Sequence, residues 1–218
     1  MKISVAIDGP AGAGKSTIAK MVSERFNLMY INTGSMYRAV TLKAMEKGIA
    51  FNDIESLCEL IDNMEMHFEN NDLIVNEENV SDKLTMPEIS NNVSNYAAVL
   101  EVRKKLVQIQ RKISQKYNVI MDGRDIGTFV LKYASFKFFL TASAEERAKR
   151  RYKELVLKNV DVNYENILEE IKKRDYIDST RKINPLKKAE DAIEIDSTNM
   201  SIEDVVNKIC SCIQSKIS

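Results

Sequence analysis

Two kinds of hydrophobic pattern alternate along this chain of 218 residues. Short runs of consecutive apolar residues are typical of strands that are buried on both faces of a parallel sheet. Five such runs occupy residues 3–7, 28–31, 119–121, 136–140 and 192–195. Between them, apolar residues recur every three or four positions, which indicates amphipathic helices. The alternation predicts an α/β fold with a five-stranded parallel sheet sandwiched by helices.

Sequence signals for helix starts support this interpretation. Pro87 suits the first position of a helix, and a long amphipathic helix is predicted to run through Val102 and Leu106 to Tyr117. Ser143 and Glu146 have the spacing of a capping box, which predicts that a basic helix begins there. A weaker variant at residues 201–204 predicts the last helix.

The period changes between residues 64 and 75, where apolar and polar residues alternate on either side of an Asn-Asn-Asp turn. This pattern predicts a small antiparallel hairpin, with a third strand near Val80. Such a hairpin is unusual between β-α units of a parallel sheet, so we interpret residues 64–96 as an insertion.

The strongest single motif lies where the first strand meets the first helix. It reads Gly9, Pro10, Ala11, Gly12, Ala13, Gly14, Lys15 and Ser16, followed by Thr17. Two glycines, then Lys and Ser, at this spacing are the pattern of a P-loop, in which backbone N–H groups form a cradle for phosphates. Lys15 is expected to reach the phosphates and Ser16 to bind Mg²⁺. The motif predicts a nucleoside triphosphate site on a P-loop NTPase-type sheet.

Composition excludes several other functions. Lys and Arg together number 32, as do Asp and Glu, so net charge indicates neither nucleic acid nor a membrane as a partner. Because no apolar run is long enough to span a bilayer and the N-terminus has no signal-peptide pattern, we expect a cytoplasmic protein.

The three cysteines form no C-x-x-C pair and are expected to be free thiols. His67 is the single histidine and is expected on a surface or edge strand, so a histidine-dependent catalytic triad is excluded.

Charged residues follow the third predicted core strand. Asp122 stands at the end of that strand, where a P-loop enzyme places a second acidic residue that holds Mg²⁺. Asp8 ends the first strand, and we interpret it as a turn residue. Arg124 lies at the edge where parallel sheets bind ligands.

Arg147, Arg150 and Arg151 share one face of a predicted helix. This face is either a phosphate clamp or a solvated face paired with glutamates.

Five segments together resemble the bacterial cytidylate kinase family, over essentially the whole chain. They are residues 8–16, the Thr-Gly-Ser-Met-Tyr-Arg segment 33–38, the Asp-Gly-Arg-Asp-Ile-Gly-Thr segment 122–128, residues 146–151, and Asp-Ser-Thr at 196–198. Many NTPases share the first segment, whereas the second and third in combination are specific. Two positions depart from the family pattern, since Asn32 stands where Asp is expected and Ser35 where Ala is usual.

The resemblance implies an enzyme that transfers the γ-phosphate of ATP to CMP or dCMP, with Mg²⁺. It implies a nucleoside monophosphate site whose residues fall into three groups. Arg38, Arg124 and Arg181 would hold the acceptor phosphate. Ser94, Arg103 and Asp125 would read cytosine, Arg174 and Asp178 would lie around the sugar, and Thr33 belongs to the same site. The catalytic set would be Lys15, Arg124, Arg147, Arg151 and Arg181, with Ser16 and Asp122 at the metal.

In regional terms, the resemblance implies one kinase domain. Its core would comprise about residues 1–31, 97–142 and 183–218, and the monophosphate-binding region about 32–96. A helical lid carrying Arg147 and Arg151 would span about 147–182. We expect a monomer.

Two alternatives stay open from the residues themselves. One is a kinase for another monophosphate or for a small hydroxyl acceptor, with the same P-loop and a different pocket. The other is a nucleotide-binding switch that hydrolyses slowly. The arginines at positions 38, 124 and 181 favour a kinase, because a switch needs no second anion site.

Overall fold

The computed structural model describes residues 2–157 and 159–217. In chain order the elements are β1 (Ser4–Asp8), α1 (Lys15–Phe26), β2 (Met29–Asn32), α2 (Thr33–Glu46), α3 (Ile54–Asp62), β3 (Met66–Glu69), β4 (Asp72–Val75), β5 (Glu78–Asn79), α4 (Pro87–Ala97), α5 (Leu100–Lys116), β6 (Val119–Gly123), β7 (Phe136–Thr141), α6 (Ala144–Leu157), α7 (Tyr164–Thr180), β8 (Ile193–Asp196) and α8 (Ile202–Ile217). A 3₁₀ turn (Lys83–Thr85) and a π-helical turn (Ile126–Val130) complete them.

The main sheet has five strands in the order β2-β6-β1-β7-β8. β1 pairs in parallel with β6 on one side, where Val5 lies opposite Ile120, and with β7 on the other, where Val5 lies opposite Phe136. β8 extends the sheet in parallel beyond β7. All five predicted strands are present, and the predicted fold class is confirmed.

The described residues form two compact units. The first comprises the residues up to Leu28 together with those from Asn118 onward, and the second comprises Met29–Tyr117. In the first unit the central strands are almost wholly apolar because both faces are covered by helices. Its buried core includes Ile7, Ile120, Phe138, Leu140 and Ile209.

The second unit contains helices α2 to α5 and a small antiparallel sheet in the order β3-β4-β5. The predicted hairpin is confirmed as β3 and β4, in which Met66 lies opposite Val75. The third strand falls at Glu78–Asn79, just before the predicted position. His67 lies on the edge strand β3, as expected, with its ring 3.1 Å from the carboxylate of Glu69.

One helix prediction needs correction. A helix begins at Pro87 as predicted, but it ends at Ala97, and a separate helix begins at Leu100 after an extended Val99. The apolar stripes explain the break. Tyr96 and Val102 are both buried, yet at about 100° per residue they would face different sides of one continuous helix.

The predicted basic helix after Ser143 is α6, and it packs against α7, which was not predicted as a separate helix. Ala148, Ile167 and Ile171 are buried in their contact, and partly buried apolar residues pack around them, including Tyr152 and Tyr164 in edge-to-face contact. We call this pair the α6–α7 hairpin. All three cysteines are free thiols. No helix within the described residues is long and apolar enough to cross a membrane.

Candidate active site

The P-loop connects β1 to α1 through residues 9–14. Gly9 is required because a Cβ there would lie 2.0 Å from the carbonyl oxygen of Leu140. Gly14 caps α1 with φ of 84°, a left-handed conformation that glycine adopts readily. The helix therefore begins at Lys15 with its N–H groups directed into the loop, an arrangement that binds anions.

Positive charge is concentrated behind this loop. Lys15 is buried, and its ammonium donates to the carbonyl oxygen of Pro10 at 2.6 Å. Burial lowers the pKa of Lys15 well below its usual value, and the charges of Arg124 and Arg174 lower it further. We call Lys15, Arg124 and Arg174 the cationic cluster. Bound phosphate would relieve the repulsion within it.

The predicted metal residues are adjacent. The hydroxyl of Ser16 donates to Oδ2 of Asp122 at 3.0 Å. Within the described ranges no three or more His, Cys, Asp or Glu side chains form a metal-binding group. A hydroxyl and one carboxylate suit Mg²⁺, because that ion commonly keeps water and phosphate oxygens as its other ligands. The two residues therefore fit a magnesium ion that is bound together with a nucleotide.

The loop after β6 carries two of the predicted substrate residues. Nε of Arg124 donates to Asp178 at 2.6 Å, and Nη2 of Arg181 lies 3.5 Å from Oδ1 of Asp125. Although burial raises the pKa of Asp178, the charge of Arg124 and its hydrogen bond lower it below the usual value. The first unit thus brings Arg124, Asp125, Asp178 and Arg181 together.

Asp8 makes long-range hydrogen bonds in addition to the turn role expected from the sequence. It is 3% exposed, and its carboxylate accepts the backbone N–H groups of Ile126 and Gly127 at 2.8 and 2.7 Å. Burial raises the pKa of Asp8 to about 6, although the two backbone donors lower it. Nothing near Asp8 in the sequence indicates this contact, because its partners lie 118 and 119 residues away.

The arginines of α6 have different partners. Arg147 is buried, and its guanidinium donates to the carbonyl oxygens of Ala142 and of Ala11 in the P-loop, at 2.9 and 3.0 Å. It also makes a two-point ion pair with Asp175 of α7, at 3.0 and 2.6 Å. Asp175 was not predicted from the sequence.

The other two arginines of this helix have separate partners. Arg150 donates to the backbone oxygen and the hydroxyl of Ser197, which fixes the loop after β8. Arg151 pairs with Glu154 at 2.9 Å on the exposed face of the helix. Arg147 therefore lies at the P-loop, whereas Arg151 lies on the exposed face of the helix.

The second unit holds the remaining predicted residues. Thr33 is buried at the start of α2, and Arg38 follows on the same helix. Asn32, one of the departures from the family pattern, caps α2 by accepting the N–H of Ser35 at 3.0 Å. The predicted cytosine-reading residues of this unit are Ser94, which lies on α4, and Arg103, which lies on α5.

Arg103 is held tightly for a charged residue. It is 2% exposed, and Nη1 donates to the carbonyl oxygen of Ala97 at 3.2 Å. Its guanidinium carbon lies 5.4 Å from the ring centre of Tyr37, which is within cation–π range. The side chain is therefore fixed by its own unit.

Three features define a P-loop protein of the phosphoryl-transfer class. They are a parallel α/β sheet, a P-loop that runs into a helix, and a Ser–Asp pair at the end of the neighbouring strand. A solved structure of an uncharacterized protein from Eubacterium ventriosum has the same fold, with a TM-score of 0.56 over 99% of both chains. Its identity to this chain is 16%, so the likeness concerns the fold alone.

Sequence comparison identifies the family. The family model described as cytidylate kinase matches residues 5–215. A cytidylate kinase of Clostridium perfringens is 65% identical over 212 residues, which cover 97% of this chain and 98% of that protein. A cytidylate kinase of Clostridium acetobutylicum is 62% identical over 217 residues and the full length of both chains. The chain belongs to the cytidylate kinase family, and the predicted identification as a kinase of this family is confirmed.

Proposed function

We propose that this protein transfers the γ-phosphate of ATP to CMP or dCMP, giving ADP and CDP or dCDP. The observation that carries the proposal is the 62% identity to a cytidylate kinase over the full length of both chains. The contacts of the predicted site residues support particular roles for them.

On the donor side, the P-loop residues 9–17 would bind the triphosphate of ATP. Lys15 would neutralise charge on its phosphates, and the N-terminus of α1 would face the same anion. Mg²⁺ would be held by Ser16 and Asp122, and when bound it supplies charge neutralisation between the phosphates. The lowered pKa of Lys15 supports this role. Burial and the charges of Arg124 and Arg174 disfavour its ammonium form, and an anionic phosphate would offset that repulsion.

On the acceptor side, Arg38, Arg124 and Arg181 would hold the phosphate of CMP. A phosphate monoester has a second pKa near ~6, so its oxygen is already a nucleophile at neutral pH and needs no general base. The chain's task is to overcome repulsion between two polyanions and to align them, for which the planar fork of arginine is well suited. The ion pair with Asp178 would hold Arg124 in place before CMP arrives.

The base would be read by Ser94, Arg103 and Asp125. Cytosine presents an amino donor beside ring acceptors, so recognition requires both an acceptor, such as Asp125, and a donor, such as Arg103. Burial of Asp125 and Arg103 supports this role, because hydrogen bonds to buried polar groups discriminate strongly between related substrates. Arg174 and Asp178 would lie at the sugar.

Residues 147–182, which include most of the α6–α7 hairpin, would close over the triphosphate as a lid. Closure would exclude water and suppress ATP hydrolysis in the absence of an acceptor. The monomeric state and the cytoplasmic location stay predictions.

Steady-state assays with ATP and each of CMP, dCMP, UMP and AMP test the proposal. We expect CMP and dCMP to have the highest kcat/KM. If CMP were the poorest acceptor, the proposal would be wrong. Calorimetry with CMP in the absence of ATP separates a kinase from a nucleotide switch, because a switch needs no site for CMP.

A further inference from the structure

The carboxylate of Asp8 caps a turn that belongs to a different part of the sheet. The π-helical turn Ile126–Val130 directly follows Arg124 and Asp125. Within the turn, Phe129 and Val130 donate their N–H groups to the carbonyl oxygen of Asp125, at 2.9 and 3.1 Å. The first N–H groups of the turn have no such partner within it. Asp8 supplies that partner from the end of β1, at 2.8 and 2.7 Å.

Close packing leaves this contact little freedom. A Cβ on Gly127 would lie 3.3 Å from Oδ2 of Asp8 and 3.2 Å from Cδ of Lys137. Ile126 and Gly127 are themselves buried. Both oxygens of one buried carboxylate are therefore used to fix the backbone just beyond the two predicted substrate residues.

We propose that Asp8 is a positioning residue, which acts through the turn to hold Arg124 and Asp125 in place for the acceptor nucleotide. The inference rests on the proposed function, because it assigns the site's acceptor half to those two residues. Asp8 joins the strand that leads into the P-loop to the loop that carries the acceptor residues. It touches neither nucleotide in this scheme.

The ionised form of the carboxylate is the one that suits this role. Two N–H donors need two acceptor oxygens, whereas a protonated acid or an asparagine directs an N–H or O–H toward one of the donors. Of the charged groups around Asp8, Asp125 opposes ionisation and Lys15 favours it. The ammonium of Lys137, whose stem packs on Gly127, bonds to the oxygens of Lys132 and Asp191.

The substitution Asp8→Asn tests the proposal, since it keeps the shape and removes one acceptor. We expect kcat/KM for CMP to fall by about ten- to a hundredfold, with most of the change in KM for CMP, because a buried charged acceptor is lost. The KM for ATP is expected to change less than the KM for CMP, because the charge of Asp8 acts more weakly on Lys15 than its hydrogen bonds act on the turn. The matched control is Asp53→Asn, in which an exposed aspartate also accepts a backbone N–H, that of Ser56.

Equal changes in KM for both nucleotides, or a loss of kcat alone, would indicate a general structural role and overturn the proposal. An unchanged KM for CMP would overturn it as well. Failure of the proposed function is distinguishable, because wild-type protein would then not use CMP at all.

A second measurement needs no variant. In ¹H–¹⁵N spectra of the wild-type protein, the amide signals of Ile126 and Gly127 should move together as the pH passes through about 6, where Asp8 titrates. The Nε–H signal of Arg124 should follow with the same midpoint. If the two amides titrate and Arg124 does not, Asp8 holds the turn without positioning the arginine, and the inference is wrong.

Discussion

The loop after β6 and the α6–α7 hairpin hold their arginines in different ways. Arg124 lies on a loop that continues a central strand, and its neighbours Ile126 and Gly127 are fixed to Asp8 in the core. Arg147 lies on a helix that packs on its partner helix through buried Ala148, Ile167 and Ile171 and the partly buried apolar residues around them. The backbone beside Arg124 is thus fixed by the sheet and its side chain pairs with Asp178, whereas Arg147 is held by Asp175 and by the carbonyl oxygens of Ala142 and Ala11.

The two ways of holding an arginine suit different tasks in the proposed reaction. A buried loop with capped backbone groups keeps a phosphate ligand at a fixed place, which suits alignment of reacting groups. Arg147 instead lies beside the P-loop on a helix of the predicted lid, where it would act on the triphosphate. We therefore expect changes at Arg124 to affect the acceptor, and changes at Arg147 or its partner Asp175 to affect ATP.

Arg124→Ala should have the largest effect. Loss of a phosphate-holding donor is expected to lower kcat/KM for CMP by about 10²–10³-fold, or roughly 3–4 kcal/mol of transition-state stabilisation. Steady-state kinetics with varied CMP measure it, and Arg111→Ala on the exposed face of α5 is the matched control. Near-wild-type turnover in Arg124→Ala would remove this residue from the site.

Asp175→Asn should have an intermediate effect, and we expect it on ATP rather than on CMP. It leaves the buried guanidinium of Arg147 with a weaker partner, while Arg147 also bonds to Ala11 of the P-loop. We expect KM for ATP to rise about tenfold, as for a lost charge-assisted hydrogen bond, with KM for CMP within about twofold.

The control for that variant is Glu169→Gln, an exposed position on the same helix. A larger change in KM for CMP than for ATP would contradict the proposed division between loop and hairpin. Together with Asp8→Asn, the variant gives a pair of Asp-to-Asn changes with reciprocal effects on the two nucleotides.

Much of the fold could be predicted from the sequence because the signals are local. Each core strand is a short apolar run, and the P-loop is one continuous segment in which glycines, Lys and Ser have fixed spacing. The Ser16–Asp122 pair was also predictable, since parallel strands end at a common edge. The sequence signal for these features lies within a few residues of where they occur.

The undetected features depend on tertiary contacts. Asp8 meets a turn more than a hundred residues away, and Asp175 meets Arg147 on another helix, 28 residues distant. Asp175 stands in no motif, and the segment that contains Asp8 does not indicate its distant partner. The break at Val99 was missed for a related reason, because it depends on which sides of α4 and α5 are buried.

Arg151→Ala should have the smallest effect and tests how far the hairpin's role extends. Arg151 and Glu154 are 42% and 47% exposed, so loss of their ion pair should change the free energy of unfolding by less than about 0.5 kcal/mol. If Arg151 contacts the triphosphate when the hairpin closes, KM for ATP should nevertheless rise by about threefold or more, as expected for a partly solvated charge contact.

Thermal unfolding and ATP kinetics of the same variant separate these two roles, with Lys153→Ala as a control on the same helix. A variant with unchanged stability and unchanged KM for ATP would leave Arg151 as a solvated surface residue. The ATP-binding part of the hairpin would then rest on Arg147, which donates to the carbonyl oxygen of Ala11 in the P-loop. A raised KM with unchanged stability would instead mean that an exposed arginine acts only in the closed form, which would be direct support for the lid.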